Sequence, residues 1–221
     1  MNPGVTAMIV ASVVYGVLTI LLFARMKWWT MDRGYLQSRP WGTLAWCALL
    51  PLGTMAPLGV GQELLLPNLK DVNAATFSAL LSEPFGYLTI GIFAPLVEEV
   101  VFRGAILRTL LGKMGNRWLA IVISAVLFAA VHANPAQMPA ALVMGILIGW
   151  VYSHTGSIVP GVAIHWVNNT VAFIVCALVP QSVTMDMVTF FGGESRALMA
   201  VGFSILILLP ALYQLNVRFR R

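Results

Sequence analysis

The window Ala94-Pro95-Leu96-Val97-Glu98-Glu99-Val100-Val101-Phe102-Arg103 sets two carboxylates and a guanidinium into an otherwise apolar run. Glu99 and Arg103 are four residues apart, so on a helix they share a face and can form an ion pair. Glu98 lies about 100° around the helix from Glu99, which leaves it pointing elsewhere. The window therefore predicts one structural acid and one working acid. His132 closes the segment Phe128-Ala129-Ala130-Val131-His132. His165 opens His165-Trp166-Val167-Asn168-Asn169, and Asn169 falls one helical turn further along the same face. A carboxylate, two imidazoles and an amide can supply a base for water and hydrogen-bond donors for an oxyanion. No Ser, Thr or Cys stands in these segments at a spacing that marks a nucleophile, which favours direct attack by water over an acyl-enzyme. The third histidine, His154, sits between Ser153 and Thr155 at the end of an apolar run. An interfacial histidine there needs no catalytic explanation.

The elements that must position these groups are membrane helices. Of 221 residues, 59% are hydrophobic and 10% charged, against about 45–50% and about 25% in ordinary globular chains. The apolar residues form runs near the roughly 20 residues that a spanning helix needs. Seven spans are predicted, at about 4–25, 41–60, 84–111, 117–133, 137–153, 158–179 and 196–215. Charge placement orients them. Arg25, Lys27, Arg33, Arg39, Arg108, Lys113, Arg117, Arg218, Arg220 and Arg221 fall on one side, and only Lys70 and Arg196 on the other, beside five acids. The positive-inside pattern then gives an N-terminus outside and a C-terminus inside. An even number of spans would separate the basic first loop from the basic tail. The net charge of +5 thus reflects orientation in a membrane rather than a nucleic-acid partner.

The fold class expected is all-α, a polytopic bundle in one transmembrane domain over 1–221. The longest loop, about 61–83, is too short to fold alone. Val5 to Ala24 has no basic segment before it and no small-residue cleavage site after it, so it reads as a retained span. Cys47 and Cys176 read as buried small hydrophobes. Gly145 and Gly149 make a small-residue face suited to close helix packing. An intramembrane charge costs on the order of 3 kcal/mol even on the lenient scale, so Glu98, Glu99 and Arg103 must pair or line a wet cavity. Counted from the inner ends of their spans at about 1.5 Å per residue, Glu98 lies about 21 Å deep, His132 about 22 Å and Asn169 about 17 Å. His165 comes to only about 11 Å, which would set it apart from the others.

With its three segments in this order, the chain resembles the CAAX prenyl endopeptidases and bacteriocin-processing proteins, the CPBP intramembrane proteases. The shared pattern reads here as Glu98-Glu99-x-x-x-Arg103, Phe128-x-x-x-His132 and His165-x-x-x-Asn169, spread over a core of about 84–180. The resemblance implies an intramembrane endopeptidase. Glu98 would activate water with help from His132, His165 and Asn169 would steady the oxyanion, and Glu99 and Arg103 would support the architecture. It also implies a peptide or protein substrate with a membrane-associated segment, in contact with membrane lipid. Substrates of three kinds suit such a family: prenylated tails, bacteriocin-like leaders and C-terminal anchors. The small size and the lack of appended domains suggest a bacterial plasma membrane, and hence an anchor or a leader peptide. No cofactor is expected. The rival is zinc, for which two histidines and a glutamate could supply three ligands; against it stand the absence of a His-Glu-x-x-His helix and the poor ligand quality of asparagine. A non-catalytic scaffold or immunity protein is the alternative of another class.

Overall fold

The computed structural model describes residues 3–29 and 33–220, with only the backbone of Arg33. Arg221 and the Arg33 side chain, both counted in the charge pattern, lie outside the described residues. Seven long helical segments run through the described residues. We label them α1 (Pro3–Arg25), α2 (Trp41–Leu65), α3 (88–113), α4 (Arg117–Ala130), α5 (Met138–Thr155), α6 (Val159–Leu178) and α7 (Glu194–Phe219). Short helices at Arg33–Gln37, Ala74–Leu81, Pro180–Val183 and Met187–Phe191 decorate the connections. No strand is present among the described residues.

Five helices, α1, α2, α5, α6 and α7, are long and apolar enough to cross a membrane. They carry large apolar side chains on their outer surfaces, among them Tyr15, Leu18, Phe203 and Leu206, each more than half exposed. Such a surface has no stable place in water, and the protein is an integral membrane protein. The two remaining segments are α4, an apolar helix of 14 residues, and α3, which carries the buried charges.

Helix ends follow local chemistry. Asn116 caps α4 by accepting the Leu119 N–H on its side-chain oxygen at 3.1 Å. Gly156 ends α5 in the left-handed conformation, φ +63°, which glycine adopts without steric cost. Packing follows the small residues. A Cβ on Gly145 would lie 3.0 Å from Ala125, and one on Gly149 would lie 3.0 Å from Ile121, so α4 and α5 meet nearly backbone to backbone. Gly53 brings α2 equally close to α7 at Leu208. The central core joins α2, α5, α6 and α7 through Cys47, Leu50, Met144, Ile148, Val151, Ile164, Ala211 and Leu215. Cys47 is fully buried and Cys176 half-buried, and both are free thiols.

Helix α3 is irregular, and its irregularity positions the site. It is π-helical at Leu88–Phe93, α-helical at Ala94–Glu99, π-helical again at Val100–Leu107 and α-helical to Lys113. The first change of register has a definable consequence at Pro95. The Ala94 N–H bonds to the Thr89 carbonyl, five residues back. In that register the next donor would serve Ile90, but Pro95 has no N–H. The Ile90 carbonyl is therefore released toward α6.

Candidate active site

Glu99 is fully buried and its Oε1 accepts a 2.8 Å hydrogen bond from Nη1 of Arg103, which is itself only 1% exposed. The guanidinium continues to α5, where Nη2 donates to the Gly145 carbonyl at 3.2 Å, and it lies over the Phe128 ring at 4.6 Å. Buried charges persist where paired and hydrogen-bonded, and Arg103 binds α3 to both α4 and α5 in this way. Room for Glu99 comes from a glycine on α6. A Cβ on Gly161 would fall 2.5 Å from Glu99 Oε2. The supporting pair has the i, i+4 geometry that the sequence predicts.

Glu98 takes no part in that pair. Its side chain is 28% exposed, and Oε2 faces His165 Nε2 at 3.7 Å. Oε2 is shielded from solvent without a hydrogen-bond partner among the described residues. On its other side His165 places Nδ1 3.3 Å from Glu99 Oε1. The carboxylate can only accept, so Nδ1 carries the proton and donates. His165 thus stands between the two glutamates, at the centre of the cluster.

The depth reckoning from sequence sets His165 too shallow. The inner ends of α3 and α6 are not level. Leu107 of α3 shares a core cluster with Ile158 at the start of α6, and α3 then runs on through Arg108–Lys113. From that common level Glu98 is about 13 Å up and His165 about 10 Å at ordinary helical rise. The π-helical turns, which fit more residues into each turn, bring them closer still.

His132 follows the last turn of α4. Its Nδ1 lies 2.8 Å from the Phe128 carbonyl; a carbonyl only accepts, so the neutral ring has its proton on Nδ1 and a free lone pair on Nε2. Phe128 lies between the two histidines, with its ring centroid 5.0 Å from His132 and 5.6 Å from His165. That ring and the Arg103 guanidinium make one packed unit, so Phe128 organises the cluster without chemistry of its own. Asn169 is engaged differently. Its Nδ2 donates to the released Ile90 carbonyl at 3.0 Å, and Asn168 donates to its Oδ1 at 3.1 Å. One amide hydrogen of Asn169 is therefore spent on α3 and the second is uncommitted.

Glu98, Glu99, Arg103 and His165 are in direct contact, His132 joins them through Phe128, and Asn169 joins α6 to the Pro95 break. Gly161, the Ile90 carbonyl and the organising role of Phe128 went unread in the sequence, because each depends on which helices are neighbours. Away from the cluster, His154 accepts from Arg117 at 3.1 Å and stacks on Phe219, an anchoring contact at a helix end. As for zinc, no three His, Cys, Asp or Glu side chains among the described residues are grouped as a metal-ligand set. His165 Nδ1 and Glu99 Oε1 are committed to one another.

Two acids, two imidazoles and an amide, buried or half-buried, are thus carried by α3, α6 and the end of α4. Residues 80–171 match the family model of type II CAAX prenyl endopeptidase Rce1-like proteins. The chain is 31% identical to UPF0177 protein YxdF of Lactococcus lactis subsp. lactis over 201 residues, which is 86% of this chain and 98% of that protein. It is 28% identical to "Putative membrane peptidase YdiL" of Bacillus subtilis over 116 residues, 52% of this chain and 45% of that one. No solved structure matches the chain. The chain belongs to the CPBP family of CAAX prenyl endopeptidases and bacteriocin-processing proteins.

Proposed function

We propose that the chain is an intramembrane endopeptidase that hydrolyses a peptide bond with water activated by Glu98. The observation that carries this reading is the position of the Glu98 carboxylate, outside the ion pair and facing His165 Nε2 at 3.7 Å. That separation is too long for a direct hydrogen bond, and the part of the Glu98 side chain left exposed gives water access to the carboxylate. Glu98 takes a proton as the water oxygen attacks the scissile carbonyl carbon, and His132 assists through its free Nε2. The oxyanion is steadied by the amide of Asn169 and by the His165 imidazole. Each good donor of this kind is worth about 3–4 kcal/mol. On collapse the C–N bond breaks and the leaving amine recovers the proton from Glu98. Glu99 and Arg103 hold the geometry throughout.

No step in this scheme calls for a metal. The basic residues at the α3–α4 turn and at the end of α7 support seven spans with the N-terminus outside and the C-terminus inside. The location that fits is a bacterial plasma membrane, and the substrate class is a C-terminal anchor or leader peptide of a membrane-associated protein.

The test compares membrane proteomes of strains carrying the wild-type chain or Glu98→Gln at equal protein level, with new termini read by mass spectrometry. Termini present only with the wild type identify the substrate and support the enzyme. Identical termini in both strains would leave a non-catalytic scaffold or immunity role as the reading.

A further inference from the structure

Immediately after His132 the chain makes a turn that α4 and α5 do not hold by themselves. Ala133 adopts φ +48°, a left-handed conformation that costs an L-residue with a Cβ. The next residue, Asn134, is fully buried although it belongs to a connection. Both ends of its side chain are spent on one distant segment. Nδ2 donates to Asp71 Oδ1 at 2.8 Å, and Oδ1 accepts from the Val72 N–H at 3.2 Å. Asp71 in turn is fixed to its own segment, because the same oxygen accepts the Asn73 N–H at 2.8 Å. A further bond runs from Gln62 Nε2, near the end of α2, to the Ala136 carbonyl at 2.9 Å. The Asn134 carbonyl accepts from Gln137 and Met138 at the start of α5. The loop between α2 and α3 is therefore latched to the turn that carries His132.

We infer that Asp71 and Asn134 are positioning residues for His132, resting on the reading of His132 as a member of the site. The strained turn persists because the latch over-determines it, and the backbone at 132–134 sets where the imidazole stands. His132 Nδ1 is tied to its own helix through Phe128, so the direction of Nε2 depends on the turn staying wound. A loop that touches no reacting atom thereby governs the placement of one. The latch is complementary in one sense only: an amide donor faces a carboxylate. Asn134→Asp would set two carboxylates against each other, and adding Asp71→Asn would restore a donor-acceptor pair in reverse.

The experiment has two readouts on the full chain in phosphatidylethanolamine–phosphatidylglycerol vesicles. Hydrogen exchange at the His132 and Ala133 amides, bonded to the carbonyls of Ala129 and Ala130, should quicken about tenfold in Asn134→Ala and Asn134→Asp, with α6 unchanged. Asp71→Asn and the reversed pair Asp71→Asn/Asn134→Asp should exchange within about twofold of the wild type. Unchanged exchange in both single variants at Asn134 would overturn the latch whatever the chain's activity. The second readout uses a peptide spanning a Glu98-dependent terminus. There kcat should fall about tenfold in Asn134→Asp with little change in KM, recover in the reversed pair, and fall no further when Asn134→Asp is added to His132→Ala. A fall in that last background equal to the fall in the wild type would show that Asn134 acts elsewhere. Activity retained in Glu98→Gln would instead sink the proposed function and leave the exchange result standing.

Discussion

At the scale of single residues, one cluster has to solve two problems: keeping charges inside a membrane protein and leaving one carboxylate able to work. Arg103 spends its bonds on Glu99 and on the Gly145 carbonyl, so it anchors and does not quench Glu98. His165 contacts Glu99 through one nitrogen and turns the other toward Glu98. The arrangement depends on absent atoms as much as on present ones, since Gly161 leaves the space that Glu99 fills. Gly161→Ala puts a Cβ 2.5 Å from Glu99 Oε2. Overpacking of that order costs about 1–3 kcal/mol, and here it also strains the pair that fixes His165. Thermal unfolding of the purified variant in detergent should show a lowered midpoint, with activity reduced more than tenfold (on the order of the 10²-fold that a 1 Å displacement can cost). A variant with wild-type midpoint and activity would show that Glu99 is not held by this contact.

At the scale of elements, α3 departs from regular helix on both sides of Glu98 and Glu99. Pro95 removes the donor for the Ile90 carbonyl, and Asn169 of α6 supplies the replacement at 3.0 Å. The break and its repair lie on different helices, so the repair also sets how α6 stands against α3. Asn169→Ala should lower stability by about 1–3 kcal/mol, the cost of leaving a buried acceptor unpaired. Pro95→Ala restores a backbone N–H, so the double variant should recover much of that loss. Chemical unfolding of the four proteins in a double-mutant cycle measures this, and additive losses would contradict the exchange of partners. The seven helical stretches themselves were legible in the sequence, because apolar run length and Asn, Pro and Gly signals act locally: α4 begins at Arg117 behind its Asn116 cap, and α5 ends at Gly156. The register of α3 was not. A uniform rise per residue and level inner ends set His165 apart from Glu98, whereas it lies beside it. The pairing of Glu99 with Arg103, being i, i+4, needed only one helix and was readable. The space at Gly161 and the bond of Asn134 to Asp71 needed knowledge of neighbours.

At the scale of the whole molecule, small residues bring the helices together, and the placement of basic residues supports the proposed orientation. Gly145 and Gly149 close α5 on α4, Gly53 closes α2 on α7, and a Cβ on Gly16 of α1 would lie 3.0 Å from Val97 beside the site. The proposed orientation places the turn between α3 and α4 on the inner side, where Lys113 and Arg117 flank Gly115. Gly115 has open space around it, so Gly115→Cys is a benign probe once Cys47 and Cys176 are replaced by alanine. A membrane-impermeant maleimide should label it in inverted vesicles and not in intact cells. Labelling in intact cells would reverse the topology, and with it the side on which the latched loop of residues 66–73 lies.

The proposed function rests on Glu98 as the base that activates water. The most direct measurement is the rate of peptide cleavage by purified, chelator-stripped protein in vesicles, for the wild type against Glu98→Gln, using a peptide that spans a terminus produced in cells. The exchange of one oxygen for an amide nitrogen keeps the shape of the side chain and removes its basicity. The account predicts that the stripped wild-type protein retains its activity and that Glu98→Gln loses at least about a hundredfold, the lower range for a general base, at unchanged protein level and unfolding midpoint. Cleavage by Glu98→Gln at the wild-type rate, or wild-type activity lost on stripping and restored by stoichiometric zinc, would contradict it.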